Sequence, residues 1–85
     1  MEPTVRPVDV TIDIGNGDPQ IENWFVYHPA TPEQAAKYQQ IRDAAKLLAY
    51  TIKANTPGCA DQTAALRKVR EAVMTANAAI ACGGK

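Results

Sequence analysis

Thr31-Pro32-Glu33-Gln34 opens a stretch that runs without an internal proline or glycine to Asn55. Thr56-Pro57-Gly58-Cys59 breaks it, and Ala60 to Ala81 continues it before Gly83-Gly84. This punctuation decides the fold. Thr31 reads as an N-cap, Pro32 occupies the first helical position, and Gln34 stands where a capping box places its reciprocal partner. The first helix then carries Tyr38, Ile41, Ala45, Leu48 and Ile52, spaced 3, 4, 3, 4 along one face as in a heptad seam. It should stop near Asn55, because Pro57 and Gly58 follow. A second helix starting between Cys59 and Asp61 repeats the spacing with Leu66, Val69, Val73, Ala76 and Ile80. The two helices, each of about 20 residues, form an antiparallel hairpin with a short loop. Ala72, Ala76, Ala78, Ala79 and Ala81 keep the second helix slim enough for close approach.

One hairpin has one seam, and one seam is not a core. Leu47, Tyr50, Met74 and the Trp24-Phe25 pair fall off the stripes and need another surface to cover them. A chain of 85 residues and 9.2 kDa buries only about 60% of the surface its unfolded form exposes, so a staple, a metal or a partner must add stability. Cys59 and Cys82 would lie at opposite ends of the second helix, roughly 34 Å apart, too far for a disulfide. A single histidine and no ligand cluster argue against zinc. Homo-oligomerisation is the expected solution.

Upstream, Val8, Val10, Ile12 and Ile14 alternate with Asp9, Thr11 and Asp13, a strand pattern. Gly15-Asn16-Gly17-Asp18-Pro19 reads as a turn. Ile21 to Tyr27, rich in β-branched and aromatic residues, reads as a returning strand. The acidic alternation does not make a calcium loop, since Ile14 occupies the glycine position and no bidentate Glu follows. The fold class is therefore mainly α. Residues 1–30 form an extended or β-hairpin segment, and residues 31–82 form a helical-hairpin domain that assembles as a homo-oligomer.

The formal net charge of zero hides a split. Residues 1–31 carry Arg6 against five acids, net −4, whereas residues 32–81 carry seven cations against four acids, net +3. A basic body behind an acidic leader suits anionic ligands on the body, or pairing of leader with body between subunits. No stretch approaches the 18 apolar residues of a membrane span, and Met1-Glu2-Pro3-Thr4-Val5 lacks the features of a secretory leader. No catalytic constellation, Gly-rich phosphate loop or metal motif is present, so neither an enzyme nor a cofactor is expected. Tyr38, Arg42 and Lys46 lie close to one helical row, an aromatic followed by two cations, as stacking on a base and clamping a phosphate require. The other reading keeps Tyr38 in the seam and pairs Arg42 locally with Asp43 or with another subunit's acid. Arg67, Lys68 and Arg70 cluster within one turn, and Asn77 lies amid apolar neighbours, where a buried amide must find partners. His28, before Pro29, suits a capping or turn role.

Taken together, Phe25-Val26-Tyr27-His28-Pro29, Tyr38-x-x-Ile41-Arg42-x-x-Ala45-Lys46 and Glu71-Ala72-Val73-Met74-x-Ala76-Asn77-Ala78-Ala79-Ile80-Ala81 resemble one small phage family. It is the helical-hairpin domain of anti-CBASS and anti-Thoeris sponge proteins, and the resemblance covers roughly residues 25–81. It implies a non-enzymatic protein that sequesters nucleotide immune signals in the host bacterial cytoplasm. The implied ligands are cyclic di- and trinucleotides or cyclic ADP-ribose isomers, held without cleavage between the protomers of a homo-oligomer, typically a hexamer. On this chain the resemblance implies that Phe25, Tyr27 and His28 approach the ligand from ahead of the first helix. Tyr38, Arg42 and Lys46 would supply stacking and phosphate contacts, with Arg67, Arg70 and Asn77 at a second pocket. Relatives usually carry Trp where this chain has Thr75, and an Arg-Glu pair where it has Ala60-Asp61. The leader through Ile21 resembles the longer Thoeris-directed branch. No membrane and no DNA or RNA polymer is implied as a partner. A small helical module for protein or nucleic-acid interaction is the alternative.

Overall fold

The computed structural model describes residues 15–85, so the alternating run Val8–Ile14 lies outside the described residues. Three helices follow in order: α1 (Pro19–Trp24), α2 (Pro32–Asn55) and α3 (Ala60–Ala81). Among the described residues there is no strand.

The first helix corrects the reading of Ile21–Tyr27 as a strand. Asp18 sits in extended conformation as N-cap, and its Oδ1 accepts from the backbone N–H groups of Gln20 (2.9 Å) and Ile21 (3.2 Å). Pro19 follows at the first helical position, where its missing N–H costs nothing. The determinant is therefore the pair Asp18-Pro19, the same device as Thr31-Pro32. The strand reading overweighted Trp24, Phe25, Val26 and Tyr27, of which all but Trp24 lie beyond the helix.

The hairpin matches its punctuation. Thr31 Oγ1 accepts from the Gln34 backbone N–H (3.1 Å) and Gln34 Oε1 accepts from the Thr31 N–H (3.0 Å), closing the capping box and satisfying two otherwise orphaned groups. Thr56 takes an extended backbone at the end of α2, as a residue preceding proline prefers. Its hydroxyl donates to Ile52 O (2.7 Å) and accepts from Gln62 Nε2 (3.0 Å), so a first-turn side chain of α3 ties down the α2 terminus. At the far end of α3, the Gly84 N–H donates to Ala79 O (2.9 Å) and the Gly83 N–H to Ile80 O (3.2 Å). With Gly83 at φ +66°, this is a Schellman ending, which needs a left-handed residue at that position.

Helices α2 and α3 pack along the seam. On α3, Leu66, Val69, Val73, Ala76 and Ile80 are all partly buried, as the heptad spacing requires. On α2 the seam runs through Tyr38, Ile41, Ala45, Ala49 and Ile52, and Leu48 departs from it, remaining 50% exposed. The reason is geometric: a straight helix of 3.6 residues per turn drifts off a strict 3.5 repeat, and over this length the contact row passes from Leu48 to Ala49. Cys59 and Cys82 cap the two ends of α3 and are both free.

No described residue is fully buried. The radius of gyration is 18.1 Å, against about 12 Å for a compact chain of this length. The hairpin is an elongated element with its seam half covered, and nothing within the described residues completes a core.

Candidate functional site

Residues two positions apart on a helix point about 200° apart, so the seam divides each helix into two flanks. On α2, Arg42 and Lys46 fall on one flank, and Ala44 and Leu48 on the other. The antiparallel partner repeats the division, with Arg70 and Met74 on the first flank and Lys68 and Ala72 on the second. The structure shows a groove along each side of the hairpin.

The first groove, of about 300 Å³, is walled by Arg42, Lys46, Arg70 and Met74 over a floor that includes Ala45 and Val69. Three cations from two helices thus converge on a small apolar floor. The Arg42 guanidinium is oriented on its outer side: its Nη1 donates to Gln39 Oε1 (2.8 Å), and Gln39 Nε2 donates onward to Asp43 Oδ1 (2.8 Å). Asp43 therefore meets Arg42 through an amide and not as a direct ion pair. Among the described residues no carboxylate pairs with Lys46 or Arg70. Arg70 also borders an adjoining depression with Arg67, Thr63 and Leu66, so Arg67 lies beside the same cationic strip. Lys68 is on the opposite flank.

The second groove, of about 450 Å³, is lined by Ile41, Ala44, Leu48, Ala72 and Ala76, with Lys68 as its single charged residue. It is a smooth apolar strip suited to a packed surface and offers a ligand almost nothing to hydrogen-bond.

Tyr38 is half-buried on the seam, one turn ahead of Arg42, and does not wall the cationic groove. Asn77 is half-buried one turn beyond Val73. Its Oδ1 is enclosed and has no hydrogen-bond partner, the one such side-chain atom among the described residues. Phe25 and Tyr27 stand out at 82% and 83% exposure on the connection between α1 and α2. Neither borders the cationic groove of the same chain. His28 is half-buried, and its ring Nε2 lies 2.6 Å from Asn23 O. Within one chain the structure brings Arg42, Lys46, Arg67 and Arg70 together and leaves Phe25, Tyr27 and His28 as a separate group.

That second group is attached to the end of α3. Asn23 Nδ2 donates to Cys82 O (3.2 Å), Trp24 Nε1 to Lys85 O (3.1 Å) and Gln34 Nε2 to Ile80 O (3.4 Å). Thr75, with Ala78, Ala79 and Cys82, lines a depression that Trp24 borders. Asn23 was not identified from the sequence. The signal available was the cap Asp18-Pro19, which makes Asn23 the fifth residue of a short helix and turns its side chain towards whatever that helix packs on.

Residues 17–81 match the family model of the Acb2/Tad1 hairpin domain. The chain belongs to that family. The match begins ahead of α1 and ends with the last residue of α3, so the Acb2/Tad1 hairpin domain here includes the short helix as well as the long pair. The family is that of the phage anti-CBASS and anti-Thoeris sponges, cyclic-nucleotide-binding proteins of anti-defence. Comparison with curated proteins and with solved structures returned no match. No helix among the described residues is long and apolar enough to cross a membrane.

Proposed function

We propose that this protein is a phage anti-defence sponge that binds cyclic nucleotide immune signals in the host bacterial cytoplasm and holds them without cleavage. The ligands are cyclic di- and trinucleotides, with cyclic ADP-ribose isomers as a further class. The observation that carries this reading is the groove of Arg42, Lys46 and Arg70, three cations with no acidic partner among the described residues, on an apolar floor. Guanidinium and ammonium groups gathered at one site favour phosphate strongly, because the charge-assisted bonds they form are about twice as strong as neutral ones. The apolar floor and Met74 suit the face of a base or ribose.

A groove of about 300 Å³ stands at the small end of the roughly 300–1,000 Å³ usual for small-molecule sites. It is one wall of a pocket. Phe25 and Tyr27, exposed and remote from it in the same chain, supply the aromatic wall from a second copy, and Arg67 and Asn77 extend the strip towards a further pocket. The apolar groove on the other flank packs between copies in a homo-oligomer, a hexamer by the family's habit. Ligand binding and assembly thus use opposite sides of one hairpin.

Isothermal titration against cyclic dinucleotides, cyclic trinucleotides and cyclic ADP-ribose isomers tests the proposal. Binding tighter than micromolar to at least one of them is expected, with the ligand recovered intact after heat denaturation. Absence of binding across the panel, or recovery of a linearised product, rejects it. Affinity for DNA or RNA that collapses with salt would favour the polymer-binding alternative instead.

A further inference from the structure

We infer that His28 acts as a positioning residue for the exposed aromatic segment, its ring fixing Phe25-Val26-Tyr27 as a closed loop on the end of α3. The inference rests on the proposed role of Phe25 and Tyr27 as a ligand wall, and the clamp itself can be tested in the free protein.

A carbonyl oxygen only accepts, so the 2.6 Å contact with Asn23 O puts the ring proton on Nε2 and makes His28 the donor. The bond spans five residues and closes the base of a loop made of Phe25 to Tyr27, with Trp24 at the end of α1 leading into it. Asn23 O is among the last carbonyls of α1, which have no partner inside the helix; a histidine donor there is a recognised way of satisfying one. The same Asn23 donates its side-chain amide to Cys82 O (3.2 Å), and Cys82 caps α3. His28, Asn23 and Cys82 thus form a chain of two hydrogen bonds from the loop to the long hairpin. Trp24 Nε1 on Lys85 O makes a second tie beside the first.

Beyond this base, the Phe25 backbone N–H donates to Ile21 O (3.2 Å). At 82% and 83% exposure Phe25 and Tyr27 have little packing of their own, so the loop that bears them is ordered through its base. A pre-ordered loop gives up less conformational freedom on binding than a loose one. His28 commits Nε2 to this bond, which leaves Nδ1 as the ring nitrogen open to a ligand and makes a direct ligand contact the competing role.

The two roles separate by substitution. The amide nitrogen of Gln reaches the place of Nε2, whereas the side chain of Asn mimics Nδ1. Trp24, the single tryptophan, ends α1 directly before the loop and reports on it. In the free full-length protein, His28→Asn is expected to raise acrylamide quenching of Trp24 about twofold, and His28→Gln to leave it near the native value. Far-ultraviolet circular dichroism should be unchanged in both, because α2 and α3 do not depend on the clamp. With cyclic GMP–AMP and cyclic tri-AMP as probes, His28→Asn should bind roughly three- to tenfold more weakly, the worth of a net neutral hydrogen bond. His28→Gln should restore native affinity. Equal quenching in the native protein and His28→Asn overturns the inference, as does better binding by His28→Asn than by His28→Gln. If neither probe binds the native protein, the sponge reading fails for those ligands, while the quenching comparison still decides the clamp.

Discussion

Arg42 shows how much one side chain owes to its neighbours. Gln39, one turn back, accepts from its guanidinium and is itself turned by Asp43, so the charge is oriented without being neutralised. Arg42→Ala should weaken binding of a cyclic nucleotide at least tenfold in a correctly assembled protein, since a desolvated phosphate loses its charge-assisted donor. Titration calorimetry of the variant, with assembly checked by sedimentation, measures this. Asn77 gives a contrasting expectation. Its enclosed Oδ1 has no partner, so no hydrogen bond to that oxygen is lost when it is removed from the isolated chain. Asn77→Leu should leave the thermal midpoint unchanged or slightly raised, because an unsatisfied polar atom is replaced by an apolar one. A fall equivalent to more than about 2 kcal/mol would show that the oxygen is satisfied within the chain after all.

At the scale of elements, both N-caps were written in plain residues, but only one is easily recognised. Thr31-Pro32-Glu33-Gln34 precedes a long periodic run, so the cap and the pattern reinforce each other. Asp18 precedes only six helical residues, Pro19 the first of them, and the aromatic residues that follow carry a strand propensity that masks the cap in the sequence. A six-residue helix has too few turns to display a period, and its existence depends on its cap and on docking to the end of α3. Asp18→Ala should therefore cost about 1 kcal/mol, the usual worth of a cap, felt locally. Hydrogen exchange should show lost protection at Gln20 and Ile21, with α2 and α3 unchanged. Gly83→Ala is a test of the opposite terminus. At φ +66° a Cβ is strained by about 1–2 kcal/mol, although nothing lies within 4 Å of the added atom. A lowered thermal midpoint with fraying confined to the last turn of α3 is the expected result.

For the whole molecule, the decisive fact is the absence of a buried residue among those described. Leu48 and Ala72, slightly off the ideal seam, leave an apolar strip on the flank opposite the cations. If that strip is the contact between copies, Leu48→Asp should convert the assembly to smaller species in sedimentation velocity while helicity in the dissociated chain persists at low temperature. The native protein should also show a thermal midpoint that rises with concentration, as mass action requires when association stabilises the fold. A concentration-independent midpoint would count against assembly on this surface.

The hairpin is written in its residues alone: its caps, its loop, its glycine ending and a seam on α3 identified residue by residue. These are local matters, set by backbone groups within four residues of one another and by a periodicity that any stretch of helix displays. The surplus of cations on the helical body is written there too. How those cations are shared out depends on the packing of the two helices. The antiparallel pairing of α2 with α3 sets Arg70 across from Arg42 and Lys46 and turns Lys68 away, because the flank a residue occupies depends on how two helices meet. Tertiary packing also lets Asn23 and His28 join the start of the domain to its end, through contacts between side chains and carbonyls as many as 59 residues apart. Such contacts leave no period in the sequence, since their spacing is fixed by the fold and not by the helix.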